Sequence, residues 1–292
     1  MTLFSILGWA VVTLSSAFMR LNPDYEAPLE NQMLMGALVE TLETQGYWVK
    51  VRAEDYTGWV TDLSLHELTD QEKDAWLAAP KWICTAEYSR IREKPGGDPI
   101  CDFTMGNLVR QTGETCTCGR WAKVLLPDGR PGWVPSKDIT DFGKRTAALT
   151  PNAKDILSLA RSFAGTPYMW GGNSIKHFDC SGLVKFCYYM NGLILPRNAS
   201  QQIKCGKPVL DEEWQPGDLL FFGKKDPVRV SHVALYAGDG VIVHSSKKVK
   251  IETLEVYGRE PVGAVRILGY ENNGVKFLKD DPYYFKKDGK QE

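Results

Sequence analysis

In the first half of the chain, apolar residues come in short runs rich in strand formers and broken by turn residues. That pattern predicts strands rather than helices. The clearest run is Gly46-Tyr47-Trp48-Val49-Lys50-Val51, followed by Tyr56-Thr57-Gly58-Trp59-Val60. The same signature returns as Gly119-Arg120-Trp121-Ala122-Lys123-Val124 and Arg130-Pro131-Gly132-Trp133-Val134. The two tryptophans lie 11 residues apart in the first copy and 12 in the second. Such a repeat predicts two copies of one small barrel, over residues 1–66 and 81–140. Their tryptophans are expected to pack in cores and hairpins. The apolar run from Leu3 to Ala17 ends in Ser15-Ser16-Ala17, as a leader would. No positive charge precedes it, and it passes into Met19-Arg20-Leu21-Asn22-Pro23, so it reads as the first strand followed by a turn.

Residues 67–80 carry Thr69-Asp70-Gln71-Glu72, a capping box that predicts a short helix ending before Pro80. Residues 141–150 read as a linker. From Thr150-Pro151 the period changes: Ile156, Leu157, Leu159, Ala160 and Phe163 mark one helical face, with Gly165 as its end. A glycine and aromatic-rich loop follows, Gly165-Thr166-Pro167-Tyr168-Met169-Trp170-Gly171-Gly172. It leads through Phe178-Asp179-Cys180-Ser181-Gly182 into an amphipathic run with Leu183, Val184, Cys187 and Met190 at helical spacing. Further on, Leu219-Leu220-Phe221-Phe222 reads as a buried strand. Arg229 to Tyr236 and Val241 to His244 read as a hairpin around Gly238-Asp239-Gly240. Lys248 to Leu254 and Gly263 to Leu268 read as later strands, and residues 271–292 as a charged peripheral tail.

This pattern assembles one candidate chemistry. Asp179 and Ser181 are natural cap residues, which places Cys180 at a helix N-terminus. Unpaired N–H groups and the positive end of the dipole there favour thiolate over thiol. The same N–H groups suit an oxyanion. A nucleophile needs a base, and His232 and His244 lie on opposite arms of one hairpin. One imidazole can take the thiol proton while the other holds it in the right tautomer.

Five stretches occur in the order seen in NlpC-type bacterial cell-wall peptidases, which are papain-like cysteine enzymes. They are the Thr166-to-Gly172 loop, Asp179-Cys180-Ser181-Gly182, Leu195-Pro196-Arg197-Asn198-Ala199-Ser200-Gln201-Gln202, Gln215-Pro216-Gly217-Asp218-Leu219-Leu220-Phe221-Phe222 and Ser231-His232-Val233. The resemblance spans residues 151–270, and the barrels resemble the bacterial SH3-like domains that often precede such a domain. The implied fold is multidomain: two small all-β SH3-like barrels, then an α+β papain-like catalytic domain. The implied substrates are peptidoglycan stem peptides or muropeptides, cut between D-glutamate and the diamino acid, with a free N-terminal L-alanine required by several members. Residue by residue, the resemblance gives Tyr168 a hydroxyl aimed at the reacting carbonyl, and gives Asp179, Ser181 and Ser200 substrate contacts. Trp170 becomes pocket wall. Tyr56 and an acid, with Glu26 as candidate, close the pocket from the first barrel. Asp179 is the nearest carboxylate for a cationic amine. His177 stands where glycine is usual, and is expected to be exposed.

Composition narrows the alternatives. The 292 residues are 43% hydrophobic and 24% charged with net charge −1, which gives no basic footprint for nucleic acid. No run is long and apolar enough for a membrane span. Seven cysteines are too few for a disulfide scaffold. Cys187 reads as core, and a bond from Cys101 to Cys116 or Cys118 is left open. Cys116-x-Cys118 is not zinc spacing, so no metal and no cofactor are expected. His66 reads as a surface residue. Two other function classes stand beside the peptidase. One is a wall-binding protein with an inactive catalytic half; the other is a papain-like amidase on a different amide or ester. The resemblance implies the bacterial cell envelope as the compartment.

Overall fold

The computed structural model describes residues 7–54, 56–270 and 274–286. The chain divides into two compact units, Met1–Ala148 with Lys279–Glu292, and Leu149–Leu278.

In the first unit, strands β1 (Gly8–Val12), β2 (Ser16–Arg20), β3 (Leu29–Leu34), β4 (Leu38–Gln45), β5 (Trp48–Ala53), β6 (Tyr56–Thr61) and β7 (Leu65–Leu68) form one sheet. Its order is β3-β2-β6-β5-β4-β1-β7. Helix α1 (Asp70–Ala78) follows, opened by a complete capping box between Thr69 and Glu72. Then come β8 (Lys81–Cys84), β9 (Tyr88–Arg92), β10 (Pro99–Thr104), β11 (Leu108–Thr115), β12 (Trp121–Leu125), β13 (Pro131–Pro135) and β14 (Ile139–Asp141). Their order is β10-β9-β13-β12-β11-β8-β14. Adding seven to each label of the first order yields the second, so one topology is used twice. Each sheet curls round its own apolar cluster. Val12, Met19, Val39 and Val51 lie in the first; Ile91, Phe103, Val109 and Val124 lie in the second. Trp48 and Trp59 are buried.

Three sequence expectations change here. Positions 3–6 of the N-terminal apolar run lie outside the described residues; from Gly8 the run makes two strands, β1 and β2, rather than one. The expected linker is a helix, α2 (Phe142–Ala148), opened by an Asp141 carboxylate that accepts the Lys144 N–H at 2.8 Å. The described part of the tail is docked, not peripheral. Phe285 stacks on buried Phe142 with ring centres 5.0 Å apart, and the Tyr283 and Tyr284 hydroxyls donate to Glu40 and Glu54.

The second unit opens with α3 (Ala153–Ser162), capped by Asn152 rather than Thr150. Short strands β15 (Asn173–Ser174) and β16 (His177–Phe178) lead into α4 (Cys180–Met190), then β17 (Leu193–Ile194), α5 (Ala199–Gln202) and β18 (Lys207–Pro208). The remaining strands are β19 (Leu219–Lys225), β20 (Val228–Gly238), β21 (Val241–Ser246), β22 (Lys248–Thr253) and, after helix α6 (Leu254–Tyr257), β23 (Gly263–Arg266). These pair antiparallel in the order β18-β23-β19-β20-β21-β22. Every residue of α4 is buried, so the helix is central rather than amphipathic. Phe186 packs on Phe163 and Phe178 at 5.7 and 5.3 Å. The one lysine of α4, Lys185, is buried with its Nζ on the Leu195 carbonyl at 2.7 Å. Among the described residues, no helix is long and apolar enough to cross a membrane.

Candidate active site

The head of α4 is held by one carboxylate. Asp179 has extended backbone angles, and its Oδ1 accepts the Gly182 N–H at 2.7 Å. Its Oδ2 accepts the Gly171 N–H at 2.9 Å, which ties the preceding loop to the helix. Arg197 completes the arrangement with Nη1 on Oδ1 at 3.1 Å and Nη2 on Oδ2 at 2.5 Å. Both side chains are buried, at 1% and 8% exposure, so their charges match each other away from water. Ser181 Oγ donates to Asp179 and accepts from Arg197. The loop sits directly on the helix: a Cβ on Gly182 would lie 1.9 Å from the Gly172 carbonyl oxygen. Only glycine admits that approach.

Cys180 is the first residue of α4, so its N–H lacks an intrahelical partner. Its sulfur receives the backbone N–H groups of Val233 and Ser181, which sets it against β20 beside His232. The expectation of a thiolate at rest is corrected here. Cys180 is 9% exposed, and burial, with Asp179 adding to it, pushes the thiol up to about 11. The helix end and its N–H groups oppose this without overcoming it.

The two histidines meet as the hairpin requires. The β20 and β21 register pairs Leu235 with Val243 and Tyr236 with Ile242, with a bulge near the turn. His232 and His244 therefore lie diagonally across the sheet, with His232 Nε2 and His244 Nδ1 2.7 Å apart. The next strand extends the chain of contacts, with His244 Nε2 2.7 Å from Glu252 Oε1. Tyr257 packs on both rings at 5.6 and 4.8 Å, and Phe222 packs on His232 at 5.9 Å. Burial pushes His232 down to about 3, helped by His244, Arg259 and Lys250. Burial lowers His244 too, against the pull of Glu252. A lone thiolate and a lone imidazolium are each disfavoured; only side by side do they offset each other's cost.

The loop that carries Tyr168 is pinned to β22 and to the bend before it. Gly165 N–H donates to the Val249 carbonyl, Val249 N–H to Thr166, and Tyr168 N–H to Lys247. The Tyr168 phenol is pushed up to about 12 by burial and then by nearby Cys180 and Asp179. Trp170 is 63% exposed, and Ser200 is exposed on α5. Asp179 already accepts from two backbone N–H groups and both ends of Arg197, so it holds the site together before any substrate arrives. His177 is half-buried with an inward Nδ1, not exposed as expected. In the first unit, the Tyr56 hydroxyl donates to Glu30 Oε2 at 2.5 Å. Glu26 is exposed, with its backbone N–H on the Asp24 carboxylate. His66 is partly exposed.

Sequence reasoning missed Arg197, Glu252, Tyr257 and Ser245, whose buried Oγ donates to the Phe178 carbonyl at 2.8 Å. Arg197 lies within the Leu195-to-Gln202 stretch, so the sequence carries a signal for it. Glu252 lies two residues beyond Lys250, the cross-strand partner of His244, on the same sheet face. All seven cysteines are free thiols, so neither considered disulfide is present. Among the described residues, no group of three or more His, Cys, Asp or Glu is arranged to hold a metal ion.

A buried helix presenting a thiol at its head, with hydrogen-bonded imidazoles on the adjoining sheet, marks a cysteine hydrolase. Comparison with known proteins specifies it further. The family described as NlpC/P60 matches residues 165–264, and the one described as bacterial dipeptidyl-peptidase Sh3 domain matches residues 19–65. The chain is 40% identical over 247 residues to a gamma-D-glutamyl-L-lysine dipeptidyl-peptidase of Bacillus subtilis (strain 168), covering 80% of this chain and 79% of that protein. It is 32% identical over 258 residues to the protein of the same name in Bacillus cereus (strain ATCC 10987 / NRS 248), covering 82% and 75%. A crystal structure of an NlpC/P60 family protein from Bacillus cereus ATCC 10987 superposes with a TM-score of 0.79 at 27% identity, covering 89% of this chain and all of that one. The chain belongs to the NlpC/P60 family, as a cysteine peptidase with SH3-like β domains ahead of its NlpC/P60 domain.

Proposed function

We propose that this protein hydrolyses the γ-D-glutamyl to L-diamino acid bond of peptidoglycan stem peptides, acting on fragments with a free N-terminal L-alanine. The observation that carries this reading is the Cys180, His232 and His244 arrangement. It sits in a chain similar over four fifths of its length to two gamma-D-glutamyl-L-lysine dipeptidyl-peptidases.

Cys180 is the nucleophile. Its proton passes to His232 Nδ1, the ring nitrogen not committed to His244, as sulfur attacks the amide carbonyl. The developing oxyanion lies on the Cys180 backbone N–H and the Tyr168 hydroxyl. The His232 imidazolium then protonates the leaving amine of the diamino acid. Water, deprotonated by the same ring, releases the γ-glutamyl product from sulfur. Because burial disfavours either charge alone, the thiolate and imidazolium form together as the proton moves from sulfur to ring. Ser181, Ser200 and Trp170 are assigned to substrate contact. The substrate class places the enzyme at the bacterial cell envelope or in the recycling of its fragments.

The test is mass spectrometry of products from L-Ala-γ-D-Glu-diaminopimelate, its lysine counterpart and intact sacculi. Cleavage of the free tripeptides, abolished in Cys180→Ala, is the expected result. A wild-type protein as inactive as Cys180→Ala on every substrate overturns the reading.

A further inference from the structure

We infer that Glu252 is a positioning residue that fixes the tautomer of both active-site imidazoles and so leaves His232 Nδ1 bare to receive the thiol proton. The inference rests on the reading of Cys180 and His232 as nucleophile and base, and it follows from counting donors along two contacts. A carboxylate can only accept, so His244 Nε2, 2.7 Å from Glu252 Oε1, carries the hydrogen. A neutral imidazole has one N–H, so His244 Nδ1 is then a lone pair. That lone pair lies 2.7 Å from His232 Nε2, which must be the donor. His232, neutral as well, is left with an unprotonated Nδ1. Reversing the first hydrogen reverses all of them: His244 would carry its hydrogen on Nδ1, His232 Nε2 would accept, and His232 Nδ1 would hold a proton and be useless as a base.

Among the described residues, nothing else in contact with the outer imidazole makes that choice. Tyr257 meets both rings through aromatic packing, and Phe222 offers only carbon to His232. The charged groups acting on the pair are Lys250 and Arg259, both cationic, with Asp179 and Arg197 acting on Cys180. Cations repel an imidazolium and do not select a tautomer. Glu252 itself is kept ionised. Burial would raise its pKa, but His244 and Lys250, the latter 3.3 Å away, lower it. Its side chain is only 16% exposed, so water competes weakly for the contact.

The experiment combines ¹⁵N NMR of the imidazoles with steady-state kinetics on the tripeptide. Wild type is expected to show the Nε2–H tautomer on both His232 and His244. In Glu252→Leu the preference is lost, both tautomers are populated, and kcat falls roughly 10- to 100-fold with KM little changed. That is less than the ~10⁴-fold known for losing a group in direct contact with the base, because one ring intervenes. Glu252→Gln retains an acceptor oxygen and is expected to restore the tautomer and most of kcat. An Nδ1–H tautomer on His244 in wild type overturns the inference without any variant. So does a folded Glu252→Leu protein with unchanged tautomers and kcat. Failure of the peptidase reading is a separate outcome, seen as absent hydrolysis in wild type, and leaves the NMR result to stand or fall alone.

Discussion

Removing the Arg197 guanidinium is expected to be the costliest single change in the catalytic unit outside its apolar core. Arg197 is 1% exposed and grips both oxygens of Asp179, which is 8% exposed. Arg197→Met keeps the volume and deletes the charge, leaving a buried carboxylate facing only backbone N–H groups and a serine. Breaking one side of a buried pair costs about 3–5 kcal/mol. For a unit of this size that lowers its melting temperature by roughly 10–20 °C. Asp179→Asn strands the guanidinium instead and is expected to cost a similar amount. The double variant Arg197→Met/Asp179→Asn strands neither charge, so it should cost less than the sum of the singles, by about 3 kcal/mol. Differential scanning calorimetry of the four proteins supplies the cycle. A double variant as costly as both singles added together, or a shift below about 4 °C for Arg197→Met, refutes the account of a mutually neutralising pair.

Other outcomes follow from the same geometry. Depressed imidazoles and a raised thiol should push the limbs of the kcat/KM profile apart, the acid limb falling well below the ordinary imidazole value of about 6.5 and the alkaline limb above 9. An acid limb at or above 6.5 contradicts that. By linkage, folded histidines with lowered pKa values bind fewer protons than unfolded ones. Their contribution to stability is therefore present above about 6.5 and lost as pH falls towards 3, which denaturant titrations at pH 7 and pH 4 measure. Gly182→Ala drives a methyl into the Gly172 carbonyl and should cost roughly 1–3 kcal/mol and nearly all activity, read by urea titration and tripeptide turnover. Cys118, whose thiol is lowered to about 7 by hydrogen bonds from Cys116 and Arg120, should alkylate fastest at neutral pH. Cys84, pushed up to about 12 by burial, should lag far behind, as peptide mapping of iodoacetamide adducts checks.

The features legible in the sequence are those written locally. The Asp179 cap, the thiol at the head of α4 and the Gly-Asp-Gly hairpin each depend on a few adjacent residues, and the structure has them where local chemistry puts them. The duplicated sheet was legible because paired tryptophans recur. What escaped depends on distant chain. Helix α2 carries little apolar pattern, and Phe142 is buried by Phe285, from the far end of the chain. Glu252 is one acid among 36 Asp and Glu until strand register brings it to His244. The ionisation of Cys180 was misread for the same reason. A helix end is visible in sequence, whereas the packing that withdraws the thiol from water is not.

The β21–β22 hairpin turns on a single residue, Lys247, between the paired Ser246 and Lys248, and its φ of 64° lies in the left-handed region. Side chains alternate along a strand, so one amino acid added within β22, with the bend kept as it is, would swing Ile251 towards the imidazoles and carry Glu252 to the opposite surface. The bend itself also supplies the carbonyl that receives the Tyr168 N–H. A lysine that touches no reacting atom thus acts as the length gauge of the enzyme. Homologues with an extra residue between this bend and the acid are the first place to look for members whose imidazoles have lost their carboxylate.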